Sequence, residues 1–148
     1  MGSYPLLPIM KLLGTEYKGI NIYSRMNENG VDVYTRGIMR YAGAVASFQL
    51  GLGVKTEGNL VISGTQGYVY VPSPWWKTDY FELRYEDQNR NKKYFYKWDE
   101  PGLRYEIQEF VSCIVNRRGS SARLTPRQSI AMARVMEQFA NRENLFEI

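Results

Sequence analysis

The spacing of apolar residues changes along the chain, and the first spacing is that of a helix. Near the start these residues recur every three or four positions, the period of an α-helix with one buried face. Ser3 precedes them as a predicted N-cap, and Pro5 and Pro8 stand near the start, where prolines cost least. Gly14 supplies a predicted left-handed stop. The apolar positions are Leu6, Ile9, Met10 and Leu13.

From about residue 19 the spacing shortens to two, which is typical of β-strands. Ile20 and Ile22 alternate with polar neighbours, and Asn29-Gly30 between the first two runs is a strong hairpin signal, since both residues tolerate positive φ. About seven strands follow, most with connections too short for a crossover helix, so we expect a largely antiparallel sheet. The apolar runs lie near 20–22, 31–33, 44–50, 60–62, 68–70, 80–85 and 93–98.

Two helices are predicted to close the chain. The first carries an apolar stripe, and the second begins with Thr125 as N-cap, Pro126 at the first helical position and Gln128 reaching back in a capping box. The stripe of the first helix is Leu103, Ile107, Phe110, Val111 and Ile114, and the predicted buried face of the second is Met132, Val135, Met136 and Phe139.

The order of helix, strands and two helices predicts an α+β fold. We expect a two-layer domain, residues 1–148, in which a largely antiparallel open β-sheet carries helices packed on one face around a single core. The other sheet face would then be uncovered, because three helices cannot cover both faces of a sheet of this size.

Composition agrees with a globular domain and excludes several kinds of chemistry. Of 148 residues, 44% are apolar and 23% charged, and no apolar run reaches the roughly 20 residues of a membrane helix. The start lacks the features of a secretory signal, and the single cysteine, Cys113, is expected to be buried and inert, so we expect a cytoplasmic protein. The absence of histidine removes Ser-His-Asp and Cys-His catalysis and almost every zinc site. The net charge of +4 permits an anionic ligand without requiring nucleic acid.

Two glycine-containing segments invite comparison with nucleotide loops. The segment 51–56 lacks the third glycine of the dinucleotide fingerprint, and Val54 separates the glycine from the lysine of a phosphate-binding loop. The segment 64–67 is short and lies between two predicted strands. Turns between strands are the better interpretation of both.

Two aromatic segments remain as candidate binding sites. In Arg90–Trp98 basic and aromatic residues interleave, which suits either a stacking platform for nucleic acid or a strand with two aromatic faces after a basic loop. In the segment 72–77, adjacent Trp75 and Trp76 in a proline-containing loop cannot both point the same way. One is expected to pack inward while the other lines a pocket, an interface or nothing.

The middle and end of the chain resemble the Gfo/Idh/MocA family of NAD(P)-dependent oxidoreductases. Residues 57–68, followed by the Pro-Ser-Pro-Trp-Trp stretch, are similar to the EGxLxIxGxxG strand–turn–strand of that family's C-terminal domain. Residues 102–110 and 124–137 are similar to later helices of the family. The resemblance spans essentially the whole chain.

The resemblance implies that the chain is an excised C-terminal substrate and oligomerisation domain. Family members begin with a glycine-fingerprint Rossmann domain, which this chain lacks, and cross into the second domain through a D-x-G-x-H or D-x-G-x-Y segment. Gly2-Ser3-Tyr4 matches the last three positions of that segment, although Met-Gly-Ser is also a common vector-derived start. The implied activity of the full-length parent is oxidation or reduction of a sugar, polyol or derivative with NAD or NADP, and this fragment alone is expected to bind no cofactor, hold no metal and be inactive.

The resemblance also implies roles for particular residues. Tyr4 stands where most members carry a catalytic histidine. A tyrosine at this position resembles the glucose–fructose oxidoreductase branch, in which a phenol exchanges a proton with the substrate hydroxyl. Trp75, Trp76 and Lys77 are candidate sugar contacts. The open sheet implies a homodimer through its uncovered face, to which Arg84 and Tyr96 are expected to contribute, with no membrane or nucleic-acid partner. The alternative is a non-enzymatic module that binds nucleic acid or protein through 90–98.

Overall fold

A computed structural model describes residues 2–97 and 102–148. The chain divides into two compact units, the first made of residues up to Lys55 and from Ser112 onward, and the second of Thr56–Val111. The expectation of a single sheet is therefore wrong, because the strands form two separate four-stranded sheets. Sequence periodicity finds strands but does not say which strands pair across a long connection.

The first unit, called unit 1 below, holds a sheet with the strand order β3-β2-β1-β8. β1, β2 and β3 pair antiparallel, whereas β8 runs parallel to β1. The elements of unit 1 are α1 (Ser3–Leu13), β1 (Gly19–Met26), β2 (Asp32–Arg40), β3 (Val45–Gly51), α3 (Pro126–Ala140) and β8 (Leu145–Glu147), and α2, given below, ends in this unit.

The core of unit 1 lies between its sheet and the helices α1 and α3. Its residues come from alternate positions of β1 and β2 and from one face of each helix, as the two spacings predict. Three predicted core positions differ, because Leu13 and Met136 are exposed and Phe139 only borders the core. The buried apolar residues are Leu6, Ile9, Met10, Ile20, Ile22, Met39, Ala131, Met132 and Val135.

The helix ends of unit 1 confirm one capping prediction and correct another. Thr125 Oγ1 accepts from the Gln128 amide at 3.3 Å and Gln128 Oε1 accepts from the Thr125 amide at 3.1 Å, which completes the capping box of α3. The predicted N-cap of α1 is wrong: Ser3 is the first helical residue, and Gly2 occupies the cap position without a side-chain bond. Gly14 ends α1 with a φ of 84°, as predicted.

The hairpin between β1 and β2 is confirmed, but its turn is longer than the two residues Asn29-Gly30. Only Gly30 adopts positive φ there, and the Asn27 side chain closes the loop by accepting from the amides of Asn29 and Val31 at 3.0 and 2.9 Å. An asparagine oxygen that binds backbone amides two and four residues on stabilises a wider loop.

The second unit, called unit 2 below, holds the sheet β4-β5-β6-β7, in which all neighbours are antiparallel. β7 ends at Phe95, short of the predicted 93–98, and Trp98 lies outside the described residues. The strands of unit 2 are β4 (Leu60–Ser63), β5 (Gly67–Val71), β6 (Tyr80–Tyr85) and β7 (Lys92–Phe95), with one turn of 3-10 helix at Gln88–Arg90.

The helix α2 (Leu103–Val115) begins in unit 2 and ends in unit 1, and it departs from the expected packing. None of its residues is buried, and Cys113, which we expected to be buried, is half-buried. The predicted stripe is present at helical spacing, yet Leu103, Ile107, Phe110, Val111 and Ile114 are all exposed.

Three helices and two largely antiparallel open sheets confirm the predicted α+β class. β8 is an eighth strand that the pattern did not predict. Within residues 2–97 and 102–148, none of the helices combines the length and the apolar character that crossing a membrane demands.

Candidate functional site

Tyr4, the predicted catalytic residue, lies in the first turn of α1 in unit 1. Its side chain is 60% exposed, so the phenol is accessible to a substrate from solvent. The backbone around it is helical because Pro5 has the φ of a first-turn residue and the Leu6 amide donates to the Gly2 carbonyl at 3.4 Å. Helical backbone holds the position of the Tyr4 Cβ.

The predicted sugar contacts Trp75, Trp76 and Lys77 lie in unit 2, in the loop between β5 and β6. The two indoles meet edge to face, with centroids 5.8 Å apart and planes at 89°. Trp75 is half-buried and its amide donates to the Gly58 carbonyl at 3.0 Å, whereas Trp76 is 48% exposed. This arrangement agrees with the expectation that the two rings point different ways, and it leaves Trp76 as the ring that a ligand can reach.

The Gly58 backbone lies against the Trp76 ring. It adopts a φ of 71°, and a Cβ there would stand 3.8 Å from the ring and 3.3 Å from Ser73 Oγ. The Lys77 amide donates to the Pro74 carbonyl at 2.8 Å, and its exposed side chain extends from the same turn. An exposed indole and an exposed lysine at adjacent positions of one turn suit a sugar ring with an anionic substituent, because an indole can cover apolar C–H groups while an ammonium binds the anion.

One face of the unit 2 sheet alternates aromatic and charged side chains. The Arg84 guanidinium lies 4.3 Å from the centroid of the Tyr70 ring and donates to Glu82 at 2.7 Å. Hydrogen bonds with Tyr68 and Glu82 raise the pKa of Arg84 above its ordinary value. Lys93 lies 3.5 Å from the centroid of the Tyr80 ring and 3.7 Å from Glu82 Oε1. The cations here are held over tyrosine rings around one carboxylate.

The basic side chains of the segment 90–98 are therefore partly engaged within unit 2. Arg90 lies 4.8 Å from the centroid of the Tyr85 ring, and Lys93 is held as described above. Phe95, by contrast, is 73% exposed. Two of the four basic side chains of the segment are thus engaged, while Lys92 and Lys97 are exposed.

The glycine-containing segment 51–56 is a turn, as the sequence indicates. The amides of Leu52 and Gly53 both donate to the Val33 carbonyl at 3.0 Å. They are thus not available to a pyrophosphate, and the chain continues to β4 rather than into a helix. Gly64 likewise donates to the Gly67 carbonyl at 2.9 Å in the turn between β4 and β5.

Unit 1 contains a cavity of about 310 Å³ between its sheet and helices α1 and α3, which sequence reasoning missed. Asp32 and Thr35 stand on its wall, and the remaining lining is mostly apolar. Thr35 Oγ1 donates to Asp32 Oδ2 at 3.0 Å and lies 2.8 Å from Ser24 Oγ. The apolar lining includes Leu6, Ile22, Phe48, Leu50, Leu52, Val135, Met136 and Phe139.

A signal for these residues was present in the sequence. Ile20 and Ile22 occupy the inward positions of β1, and Ser24 continues that alternation as a polar residue, fully buried. Thr35 is likewise a buried polar residue on the inward face of β2, which it shares with Met39. A polar residue on the buried face of a strand needs a buried partner, so it marks a polar site within the core. In the part of the chain that the structure describes, no three Cys, Asp or Glu residues are grouped to hold a metal ion.

Comparison with known proteins relates the α+β architecture to sugar-modifying oxidoreductases. KijD10, a 3-ketoreductase from Actinomadura kijaniata solved with NADP and TDP-benzene, matches 100% of this chain with a TM-score of 0.81 at 15% identity. UDP-N-acetylglucosamine 3-dehydrogenase GnnA from Acidithiobacillus ferrooxidans matches 98% of it with a TM-score of 0.72 at 17% identity. At these identities the likeness establishes the fold.

The match covers only part of each of those proteins. The chain spans 45% of the KijD10 chain and 45% of the GnnA chain. No protein-family model matches the chain, and no curated protein matches it either. The fold likeness is thus with less than half of each enzyme.

Proposed function

We propose that the chain is the C-terminal domain of an NAD(P)-dependent oxidoreductase of the Gfo/Idh/MocA family that acts on a sugar derivative. The observation that carries this proposal is the fold likeness over nearly the entire chain to a 3-ketoreductase solved with NADP and to a UDP-N-acetylglucosamine 3-dehydrogenase. The family resemblance of residues 57–68 and 124–137 supports it independently. Nucleotide-linked sugars are the first substrates to test, since GnnA acts on one.

The dinucleotide would be held outside this chain. The amides of Leu52 and Gly53 donate to the Val33 carbonyl, so this turn does not present them to a pyrophosphate. A preceding Rossmann domain would supply that cradle, which agrees with the chain spanning less than half of each neighbour. In this proposal the isolated chain binds no NAD(P) and is inactive, while its parent is active.

Tyr4 is proposed as the group that exchanges a proton with the substrate oxygen. Hydride chemistry at a carbinol carbon leaves a proton on oxygen to be moved, and an accessible phenol can donate or accept it. Trp76 and Lys77 are proposed as substrate contacts in unit 2 on the basis of the exposed indole face and the neighbouring ammonium. The role of Tyr4 is argued from unit 1 alone, and the roles of Trp76 and Lys77 are argued from unit 2 alone.

Three measurements test the proposal. The coding sequence immediately upstream should encode a GxGxxG strand–helix opening and an aspartate just before Met1.

In the full-length parent, Tyr4→Phe should lower kcat by about 100-fold or more with KM little changed. Tyr17→Phe is the matched control in unit 1 and should keep its turnover. Normal turnover of Tyr4→Phe, or NADPH binding by the isolated chain tighter than roughly 100 µM, would contradict the proposal.

The open face of the unit 2 sheet is proposed as a homodimer interface. Phe95, Tyr68 and Val61 are exposed on it, and apolar groups exposed together on one face suit an interface. Tyrosine and arginine are enriched at interfaces, and Tyr96 and Arg84 lie in this unit. A twofold contact that buries at least about 1,200 Å² in total would cover the patch.

Light scattering with a matched pair of variants tests the dimer. The unaltered chain at tens of micromolar should have a mass near twice its 17.2 kDa. Phe95→Glu should return it to the monomer mass, and Val45→Glu, at an equally exposed position of unit 1, should leave the dimer intact. A monomeric unaltered chain would refute the interface. Salt-sensitive binding of single-stranded nucleic acid that Phe95→Glu abolishes would favour the non-enzymatic alternative instead.

A further inference from the structure

The cavity of unit 1 combines an apolar wall with one carboxylate that has no positive partner. Its volume of about 310 Å³ lies at the small end of the range for ligand pockets, roughly 300–1,000 Å³. Two lining residues, Leu52 and Met136, are themselves exposed, so the cavity opens to solvent. It can therefore exchange a small molecule without unfolding of unit 1.

The Thr35 hydroxyl beside the carboxylate is oriented toward it. Thr35 Oγ1 has one proton and donates it to Asp32 Oδ2 at 3.0 Å. Ser24 Oγ lies 2.8 Å from Thr35 Oγ1 and also within donating distance, 3.2 Å, of the Tyr34 carbonyl. Ser24 is fully buried and Thr35 nearly so. The Thr35 hydroxyl dipole thus points at Asp32 and stabilises negative charge there.

That negative charge is not balanced within the described part of the chain. Thr35 is the only hydrogen-bond partner of Asp32, and no lysine or arginine among residues 2–97 and 102–148 forms an ion pair with it. A half-buried carboxylate is costly unless a cation or further donors reach it. The remaining wall of the cavity offers hydrocarbon rather than donors.

We propose that the cavity binds a small amine, with an aromatic or branched aliphatic body against Leu50 and Phe48 and its ammonium against Asp32. A charge-assisted hydrogen bond to a carboxylate is about twice as strong as a neutral one, so the ammonium is preferred over a hydroxyl of the same shape. A sugar does not fit this wall, because its hydroxyl groups would be left without partners along the apolar lining. The site is therefore separate from the sugar chemistry proposed above.

Methyl spectra of methionine-labelled protein test this site directly. Titration with 2-phenylethylamine should shift the Met136 methyl signal, which lines the cavity, and leave that of Met39, which does not. We expect a Kd near 1 mM or tighter, with the isosteric alcohol 2-phenylethanol and the anion 3-phenylpropanoate about 10-fold weaker or worse. Asp32→Asn should weaken the amine about 10-fold, and Leu52→Trp, at the mouth of the cavity, should block it.

The comparison of amine and alcohol is made on the unaltered chain, so it decides the question even if Asp32→Asn does not fold. Equal affinities for the amine and the alcohol would overturn the role of Asp32. Absence of any Met136 shift with the amine at about 10 mM, ten times the weakest Kd expected here, would overturn the site.

Discussion

The two four-stranded sheets of this chain pair their strands in similar ways but bury very different amounts of side chain. Unit 1 encloses nine buried apolar residues between its sheet and helices α1 and α3. Within residues 56–97 and 102–111 of unit 2, no residue is buried at all. Backbone pairing alone thus makes a sheet but not a core.

The two sheets differ in burial because helices α1 and α3 cover one face of the sheet in unit 1. Unit 2 holds its strands together with ring contacts such as Phe81 on Tyr94, stacked at 5.1 Å, and with cations over tyrosines. Such pairs contribute roughly 0.5–1.5 kcal/mol each beyond area burial. Burial of a single large apolar side chain contributes about 1.5–3 kcal/mol, so unit 1 carries most of the free energy of unfolding.

The largest expected effect comes from removing one side chain from that core. Ile20→Ala in unit 1 should lower the free energy of unfolding by about 2–5 kcal/mol, because it leaves a cavity among packed residues. Ile62→Ala is the matched change in unit 2, where the side chain is only half-buried, and should cost about 1 kcal/mol or less. Urea unfolding followed by circular dichroism measures both, and equal losses would remove the distinction between the units.

Amide hydrogen exchange compares the units without any substitution. At low protein concentration the amides of β5 and β6 should exchange about 10-fold or more faster than those of β1 and β2, because sheets without a core open locally at lower free energy. Raising the concentration should slow exchange in unit 2 if copies associate through its open face. Uniform protection across both sheets in dilute solution would contradict the comparison.

Capping residues should show a smaller difference between the units. Thr125→Ala removes the cap of α3, a helix with a buried face, and should cost about 1 kcal/mol. Asp87→Ala removes the cap of the exposed turn Gln88–Arg90 in unit 2 and should lower the free energy of unfolding by only about 0.3 kcal/mol. Thr125→Ser keeps the hydroxyl and should restore the thermal midpoint, which separates loss of the cap from loss of packing.

The smallest effect is expected at a surface ion pair of unit 1. Arg127 donates to Glu16 at 2.8 Å, and this hydrogen bond, with a further one from Thr15, holds the pKa of Glu16 below its ordinary value. A lowered carboxyl pKa adds stability above the ordinary glutamate pKa of about 4.3 and loses it as the pH falls through the folded value. NMR titration should show the Glu16 pKa rising in Arg127→Gln, while stability at neutral pH barely changes. An unchanged Glu16 pKa would show that the ion pair does not form in solution.

The same contrast explains how much the sequence could predict. Alternation identified β1 to β7, and Thr125 with Gln128 identified the start of α3, because those signals are local. The assignment of strands to two sheets was missed, since nothing between β3 and β4 reports which neighbours pair. β8 was missed because it has three residues and pairs parallel with β1, more than a hundred positions away.

Among the candidate site residues, those with a local sequence signal were predicted, and those that meet only through strand pairing were not. Tyr4 and the adjacent tryptophans were found from residue type and family resemblance, and their roles remain proposals. The Ser24–Thr35–Asp32 group was missed because its members lie on two strands and come together only through their pairing. Ser24 opposite Thr35 is a register fact, available once β1 and β2 are aligned.

The parallel pairing of β8 with β1 has a consequence for the order in which the protein forms during synthesis. Unit 2 is one continuous stretch, so its hairpins can form as soon as residues 56–97 leave the ribosome. Unit 1 joins the beginning of the chain to its last residues, with Ile22 beside Leu145. Ile20 and Met39 must therefore wait, unburied, until α3 and β8 have been made. The better-packed unit is therefore completed after the one without a core, and its apolar residues stay exposed for longer during synthesis.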